Sequence, residues 1–455
     1  MKLNAGSFCH LEQNKTHRLA HQTHQCSNLP RNRPLSIARN HMILKRLPRG
    51  AGWMMYSYLA GFALQGAYFV LLARALGADD YGIFVGALSL VTIFASVSGL
   101  GAGNVLVLKT SRDSDQYRTQ LGTAYVYIAA TFLPLAVAAV LFTQWLAPAV
   151  AFALIPLLLS ELVFTRAYDV GLQSFQAHDE LKGVAHLNVC AAALRVALVG
   201  VFLLVGAQGA LSWAWFYAGS TIAIAIGVLI ICAVRFGGPR IDRQSIRSTW
   251  RLGTFFALGM SSRILVNDSD KFILAGSGRT AEAGQYGAAH RLINMAFAPL
   301  QAITYSLNTQ LFRAGVGGYS AVWRVLSRVL PVAAGYVLVA IAALWALAPV
   351  AVLILGPGYE LVGVILPLLS LMLVGQTGTY FFGDALMGLG KQGVRSICQA
   401  VVGVLVLVLN ALLTPTYGWI AAAYIGIGAS LLLALLLSMI FTSGALAERR
   451  RRESS

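Results

Sequence analysis

Long apolar runs follow one another along the chain from about residue 51 to about residue 442. Each run is roughly 20 residues long, which is the length that an α-helix needs to cross the hydrocarbon core of a bilayer. The runs are too continuous for the strands of a membrane β-barrel, which alternate polar and apolar residues over about 10 positions. Only helices and closed barrels satisfy their backbone hydrogen bonds in hydrocarbon. The pattern therefore predicts an all-α polytopic membrane protein.

Twelve transmembrane helices are expected, separated by short polar segments. Their approximate bounds are 51–74, 82–107, 121–143, 147–165, 183–205, 211–234, 251–275, 285–311, 328–348, 361–383, 394–413 and 419–442. These lengths allow each helix to span a bilayer with some tilt.

Composition and charge agree with this interpretation. Of the residues, 57% are hydrophobic and 11% are charged, against about 25% charged in soluble domains. The net charge of +17 does not indicate nucleic-acid binding, because Lys and Arg are concentrated in alternate loops, whereas the other loops hold only Arg74 and Arg279. Positive loops stay inside, so both termini are expected to be cytoplasmic.

Other common site chemistries are not indicated. The five cysteines show no paired spacing, so neither a disulfide framework nor a zinc site is expected. No Walker motif, Gly-rich phosphate loop or metal triad is present, and we expect no cofactor, no metal and no enzymatic activity.

An internal repeat is expected to divide the chain. Arg74 falls opposite Arg279 and Tyr81-Gly82 falls opposite Tyr286-Gly287, both at an offset of about 205 residues. An even number of helices in each half gives a parallel repeat, here two six-helix bundles around a central cavity. Chance agreement of two short loops is the alternative. The predicted segments are an N-terminal extension, a first bundle, a basic linker, a second bundle and a basic tail, at 1–50, 51–234, 235–251, 252–442 and 443–455.

The N-terminal extension differs from the rest of the chain. It holds five of the eight histidines, one acidic residue and no apolar run. It lacks the apolar region of a signal peptide, and irregular histidine spacing favours a disordered tail over a metal site. A natural start at Met42 is a second interpretation.

Charged residues at membrane depth are the candidate functional groups. They cost about 2.5–3.5 kcal/mol each even on the lenient insertion scale, and so indicate function by default. On a helical wheel a polar stripe falls within about one 100° sector, and Asp268 lies off it. The stripe consists of Arg263, Asn267, Asp270, Lys271 and Leu274. His290 and Arg291 follow on the next helix, and Arg195 lies in the fifth.

Internal pairing is the alternative to a role in binding. Asp270 could form an ion pair with Arg291 on the adjacent predicted helix, or with Lys271 beside it in the sequence. Arg195 could likewise meet Glu161 or Asp169. Such ion pairs would neutralise the charges without any ligand. Alternatively, Asp268, Asp270 or Glu161 could bind and release a coupling ion.

Two short motifs carry a resemblance to a known family. Arg74-Ala75-Leu76-Gly77 followed by Tyr81-Gly82 resembles the first outer hairpin of bacterial polysaccharide (O-antigen type) flippases. Asp270-Lys271 followed by Gly284-Gln285-Tyr286 is similar to their seventh-to-eighth helix signature. The resemblance covers about residues 45–445, and the family belongs with the multidrug and toxin extruders.

The resemblance implies a function. Such a protein would move undecaprenyl-pyrophosphate-linked oligosaccharide across the inner membrane for lipopolysaccharide, O-antigen or exopolysaccharide synthesis. Membrane lipids, a polysaccharide polymerase and assembly proteins would be partners. Arginine forks match phosphate oxygens, so Arg263, Arg291 and Arg195 are the leading candidates for cavity cations, and Lys271 and His290 follow. H⁺ or Na⁺ is the candidate coupling ion.

Two other functions are compatible with parts of the pattern. A cation-coupled drug exporter of the same architecture would use intramembrane carboxylates such as Asp268 and Asp270, although Arg263, Lys271 and Arg291 lie close to them in sequence. A membrane glycosyltransferase or polymerase would need a long outer loop, and the predicted outer loops are short.

Deleting residues 1–41 is expected to leave transport intact, because all predicted helices follow Met42. Complementation of surface polysaccharide by the truncated chain checks this. Loss of activity at normal membrane abundance would refute it.

Overall fold

The computed structural model describes residues 49–453, and the predicted N-terminal extension up to residue 48 lies outside the described residues. These described residues form fourteen α-helices, joined by short turns, 3₁₀ segments and one π-helical turn. They are α1 (Arg49–Ala95), α2 (Ala102–Thr110), α3 (Tyr117–Leu146), α4 (Leu154–Leu159), α5 (Arg166–Ala177), α6 (Leu181–Leu204), α7 (Ala210–Phe236), α8 (Arg243–Gly276), α9 (Thr280–Gly315), α10 (Tyr319–Leu355), α11 (Val362–Ser370), α12 (Met372–Gly388), α13 (Gln392–Tyr417) and α14 (Trp419–Glu453).

The predicted all-α membrane architecture is confirmed. Among residues 49–453 no strand occurs, and nine helices are long and apolar enough to cross a membrane. Helix α1 is one of the nine, although it contains the first predicted transmembrane helix and most of the second. The two parts meet at the kink at Gly77. Helices α8 and α9 are not among the nine. This is expected, because they carry the predicted intramembrane charges.

Several predicted helices are interrupted. The second one is broken by a 3₁₀ turn at Ser98–Gly101. The fourth is a composite in which a π-helical turn, Ser160–Thr165, separates α4 from α5. Pi-helical turns occur frequently at functional sites. The predicted linker is shorter than expected, because α7 ends at Phe236 and α8 begins at Arg243, where the Asp242 carboxylate accepts a hydrogen bond from the backbone N–H of Ser245 at 2.8 Å.

Two glycine turns lie at one end of the molecule, which we call the turn end. Gly77 has φ 72° and Gly278 has φ 81°, a left-handed conformation that other residues adopt only at a cost. Directly after these turns, α1 and α9 cross in backbone contact. A Cβ atom built on Gly82 would overlap the carbonyl oxygen of Thr280, and one built on Gly284 would overlap that of Ala78. No side chain fits between the two backbones.

The crossing is symmetric between the two helices. Gly82 meets Thr280 and Gly284 meets Ala78, so the contact relates positions 202 residues apart. The internal repeat, expected at an offset of about 205 that pairs Arg74 with Arg279, stays a prediction.

Further contacts close the turn end. Thr280 donates a hydrogen bond to the Asp79 carboxylate at 2.8 Å, and the Tyr359 hydroxyl donates to the carbonyl of Ala73 at 3.0 Å. Arg74 donates to the carbonyl of Ile354, near the C-terminus of α10. Arg279 likewise donates to the carbonyl of Thr416 in the last turn of α13. Basic side chains satisfy the orphan carbonyls that every helix leaves at its C-terminus.

Replacing Gly284 by Val is expected to open the turn end, since the new side chain cannot share space with Ala78. A disulfide between Asp79→Cys and Thr280→Cys reports closure. Overpacking costs about 1–3 kcal/mol, so cross-linking should fall about tenfold in the Gly284→Val background.

Gly219→Val on α7 is the matched control, because a Cβ there meets nothing within 4 Å. Equal cross-linking in both backgrounds would contradict the close approach.

Candidate functional site

A cavity of about 500 Å³ lies between α1, α8 and α9, and we call it the central cavity. Both parts of α1 line it, through Phe62 and Gln65 before the Gly77 turn and Tyr81 and Val85 after it. It begins next to the glycine crossing, since Tyr81 of α1 and Gly287 of α9 line it. Of the predicted charged residues, it is lined by Arg263, Asp268, Lys271, His290 and Arg291. The structure thus brings four of the five predicted cations together.

Arg263 and Arg291 are held by aromatic rings. The Arg291 guanidinium lies 5.7 Å from the ring centre of Tyr68 and 5.6 Å from that of Phe69. The Arg263 guanidinium lies 5.4 Å from the ring centre of Tyr380. Such stacking orients a guanidinium and leaves its N–H groups available. Within the described part of the chain, no carboxylate oxygen lies within 4 Å of either arginine.

Lys271 is arranged differently, because it forms ion pairs with both nearby aspartates. Its ammonium lies 2.9 Å from the Asp268 carboxylate and 3.5 Å from that of Asp270, and it also donates to the backbone carbonyl of Asn267. The other Asp270 oxygen accepts a hydrogen bond from the Tyr286 hydroxyl at 2.7 Å. The side chains of Lys271 and Asp270 are buried. This cluster is an internal ion-pair network, as the pairing alternative expected for Asp270 and Lys271.

The expected polar stripe on α8 is wrong in one respect. Asp268, placed off the stripe, lines the cavity, whereas Asp270 points away from it toward Tyr286 on α9. Asp268 and Lys271 are three residues apart and lie roughly 60° from each other around the helix. The cavity face is therefore rotated from the predicted sector, and Asp270 falls at the edge that packs against α9.

His290 is buried beside Lys271. Its Nδ1 lies 3.1 Å from the side-chain amide nitrogen of Asn294, and its ring stacks on Tyr286. Its Nε2 is buried without a hydrogen-bond partner in the described residues. A neutral histidine can therefore offer this nitrogen to a polar ligand.

Arg195 does not reach the central cavity. It lines a second cavity, of about 450 Å³, formed by helices of the first half of the chain, which we call the first-half cavity. Its guanidinium covers the ring of Tyr217 at 5.4 Å, and the Tyr217 hydroxyl donates to Glu161 at 2.7 Å. Asp169 instead pairs with Arg166 at 3.2 Å. The expected ion pairs of Arg195 with Glu161 or Asp169 are therefore wrong, because a tyrosine ring intervenes and Asp169 has a nearer partner.

Glu161 lies in the π-helical turn and is buried. Its partners are hydroxyl groups, those of Tyr217 at 2.7 Å and Thr165 at 3.2 Å.

A small cavity in the second half of the chain adjoins the central one. It measures about 90 Å³ and shares Arg263 and Asn267 with the central cavity. Arg395 lines it and pairs with the buried Asp384 at 2.7 Å. Arg395 is thus internally neutralised, in contrast to Arg263.

Sequence reasoning did not find the rings that hold the arginines. Tyr68, Phe69 and Tyr380 lie in apolar runs where an aromatic residue is unremarkable. Their role depends on which helices pack together, and nothing in their spacing indicates it.

The chain resembles known proteins both in sequence and in fold. A family model described as polysaccharide biosynthesis protein matches residues 47–312, which is more than half of the chain. The chain belongs to the polysaccharide biosynthesis protein family. The match includes every residue that lines the central cavity. No curated protein sequence matches the chain.

Solved structures show what fold this polysaccharide biosynthesis protein has. It is similar to an inward-facing multidrug resistance MATE family transporter of the MOP superfamily, with a TM-score of 0.68, 13% identity and coverage of 87% of this chain and 99% of that one. It is similar to the lipid II flippase MurJ in an inward closed conformation, with a TM-score of 0.68, 12% identity and coverage of 86% and 87%. It is also similar to an outward-facing multidrug resistance MATE family transporter of the MOP superfamily, with a TM-score of 0.54, 13% identity and coverage of 87% of this chain and 95% of that one. The chain therefore has the fold of these membrane transporters.

Replacing Tyr286 by Phe is expected to destabilise this family member by about 1–3 kcal/mol, because the buried Asp270 carboxylate loses a hydrogen-bond donor. Thermal unfolding in detergent measures the effect. Tyr424→Phe, at a 62% exposed tyrosine of α14, is the control. Equal midpoints for the two variants would show that the hydrogen bond contributes nothing.

Proposed function

We propose that the protein is a flippase that translocates undecaprenyl-pyrophosphate-linked oligosaccharide across the inner membrane for surface polysaccharide synthesis. The observation that carries the proposal is the pair Arg263 and Arg291, two cavity-lining arginines without a carboxylate within 4 Å in the described residues. Membership of a polysaccharide biosynthesis family and a transporter fold supply the context.

The chemistry of the cavity suits a pyrophosphate. A guanidinium presents N–H groups in a planar fork that matches phosphate oxygens, and such charge-assisted bonds are about twice as strong as neutral ones. The rings of Tyr68, Phe69 and Tyr380 restrict how the forks turn. The pyrophosphate would bind between Arg263 and Arg291, with His290 as a further polar contact. The lipid tail would stay in the bilayer.

The buried ion pairs favour an anionic substrate over a cationic one. Lys271 already holds Asp268 and Asp270, so neither carboxylate is available to a cation without displacing an ammonium. Counting Arg263, Lys271 and Arg291 against these two carboxylates leaves one net positive charge. A cation-coupled drug exporter of the same fold is the runner-up, and this balance disfavours it.

Alternating access is the mechanism that we propose. Both termini would lie in the cytoplasm, with the basic loops on that side and the turn end facing the periplasm. The turn end is closed by the crossing at Gly82 and Gly284. The head group would enter from the cytoplasmic side, and the two six-helix halves would then rock apart at the turn end to release it.

H⁺ or Na⁺ is the candidate coupling ion, and polymerase and assembly proteins would receive the product. The protein would act as a transporter and not as an enzyme.

Replacing Arg263 or Arg291 by Ala is expected to lower glycan export at least tenfold, because each change removes a charge-assisted contact of about 1.5–3 kcal/mol. Replacement by Lys should recover only part of the loss, since an ammonium has no planar fork. Surface polysaccharide in a complemented deletion strain is the measurement.

Arg313→Ala is the matched control, because Arg313 is an exposed arginine near the end of the same helix as Arg291. Wild-type export in both cavity variants, at normal membrane abundance, would refute the cationic site. Drug sensitivity without any change in polysaccharide would favour the runner-up.

A further inference from the structure

The first-half cavity differs from the central cavity in its chemistry. Among the described residues, Arg195 is the only charged side chain that lines it, whereas seven amide and hydroxyl side chains do so. These are Gln65, Tyr68, Thr165, Tyr168, Gln176, Asn188 and Thr221. The ring of Phe62 also lines it. It is therefore a polar but mostly uncharged site inside a membrane-spanning protein.

The two cavities adjoin. Phe62 and Gln65, three residues apart and hence on one face of α1, line both of them. Tyr68 lies on the same face, lines the first-half cavity and stacks on Arg291, which lines the central one. A ligand whose charged group lies at Arg291 can therefore extend past Gln65 into the first-half cavity.

The polar groups of this cavity are prepared for a ligand. Arg195 has its Nε buried without a hydrogen-bond partner and no carboxylate within 4 Å among the described residues. Tyr168 donates to the side-chain oxygen of Asn188 at 2.9 Å, which fixes both side chains and leaves the Asn188 amide N–H groups to face other partners. An unsatisfied buried donor costs about 1–3 kcal/mol. A ligand rich in oxygen atoms would offset this cost.

Sugar rings have the matching chemistry. Their hydroxyls both donate and accept, as amides and hydroxyl side chains do, and their C–H faces pack on aromatic rings. The volume of about 450 Å³ falls within the roughly 300–1,000 Å³ typical of small-molecule sites. A bare lipid pyrophosphate would leave this whole cavity unused.

We infer that the first-half cavity is a carbohydrate subsite that holds the sugars nearest the pyrophosphate, with Asn188, Gln176 and Arg195 as their hydrogen-bonding partners. This inference rests on the proposed function, because it takes the central cavity as the pyrophosphate site. It separates recognition of the glycan from recognition of the pyrophosphate, with polar partners on α5 and α6 for the glycan and on α8 and α9 for the pyrophosphate.

The test compares two probes on purified protein in detergent. One is undecaprenyl pyrophosphate, and the other is the same lipid carrying its glycan, extracted from a strain that lacks the exporter. Gln176→Met and Asn188→Leu, both close in size to the native residues, should weaken binding of the glycan-bearing lipid about tenfold and leave that of the bare lipid within about twofold. Arg291→Ala should weaken both. Gln176 is exposed, so its variant should fold normally.

Leu194→Ala, an exposed position of α6 that lines neither cavity, is the control and should change neither affinity. Equal effects of Gln176→Met and Asn188→Leu on both probes, or none on either, would overturn the carbohydrate subsite while leaving the proposed function intact. If the wild-type protein binds neither the bare lipid pyrophosphate nor the glycan-bearing lipid, the proposed function is overturned and the subsite with it.

Discussion

The close approach of Gly82 to Gly284 is the contact on which the arrangement of the cavities depends. Two helices can touch through their backbones only where no side chain intervenes, and both partners here are glycines. Beside that contact lies the central cavity, which is lined by both α1 and α9. Residues recur at helical spacing along its wall, from Tyr81 to Val85 on one side and from Gly287 to Arg291 on the other. The contact therefore fixes where the cavity begins.

Within that space, the distribution of charge matters more than its sum. Lys271 forms ion pairs with both aspartates of α8, so these carboxylates are already engaged within the protein. The arginines are spared for other partners and are positioned by aromatic rings. Helix α8 thus carries both the internal ion pairs and one of the two arginines of the proposed pyrophosphate site. Buried ion pairs contribute little net stability, and their effect here is to determine which charges remain available.

Much of the fold could be predicted from the sequence, because the cost of exposing a backbone to hydrocarbon leaves few alternatives. The same cost identified Arg263, Lys271 and Arg291, since charge in an apolar run is conspicuous. What could not be predicted depends on packing. The glycine crossing, the orientation of Asp268 and the rings around the arginines follow from which helices meet. Arg195 was also identified by its charge, but the sequence did not indicate that it lines the first-half cavity, because its position on α6 does not reveal which space that helix lines.

Stacking of arginine on aromatic rings also has a kinetic consequence. An arginine engaged in a salt bridge must break that bond before it can accept an incoming phosphate, and the exchange adds a barrier to capture. Arg263 and Arg291 rest against π-faces with their N–H edges free of carboxylates in the described structure. In the proposed transport cycle, capture of the phosphate would then require no carboxylate to leave either arginine. Free phosphate and other small anions would compete for the same two groups, so ionic strength would become part of the turnover cycle.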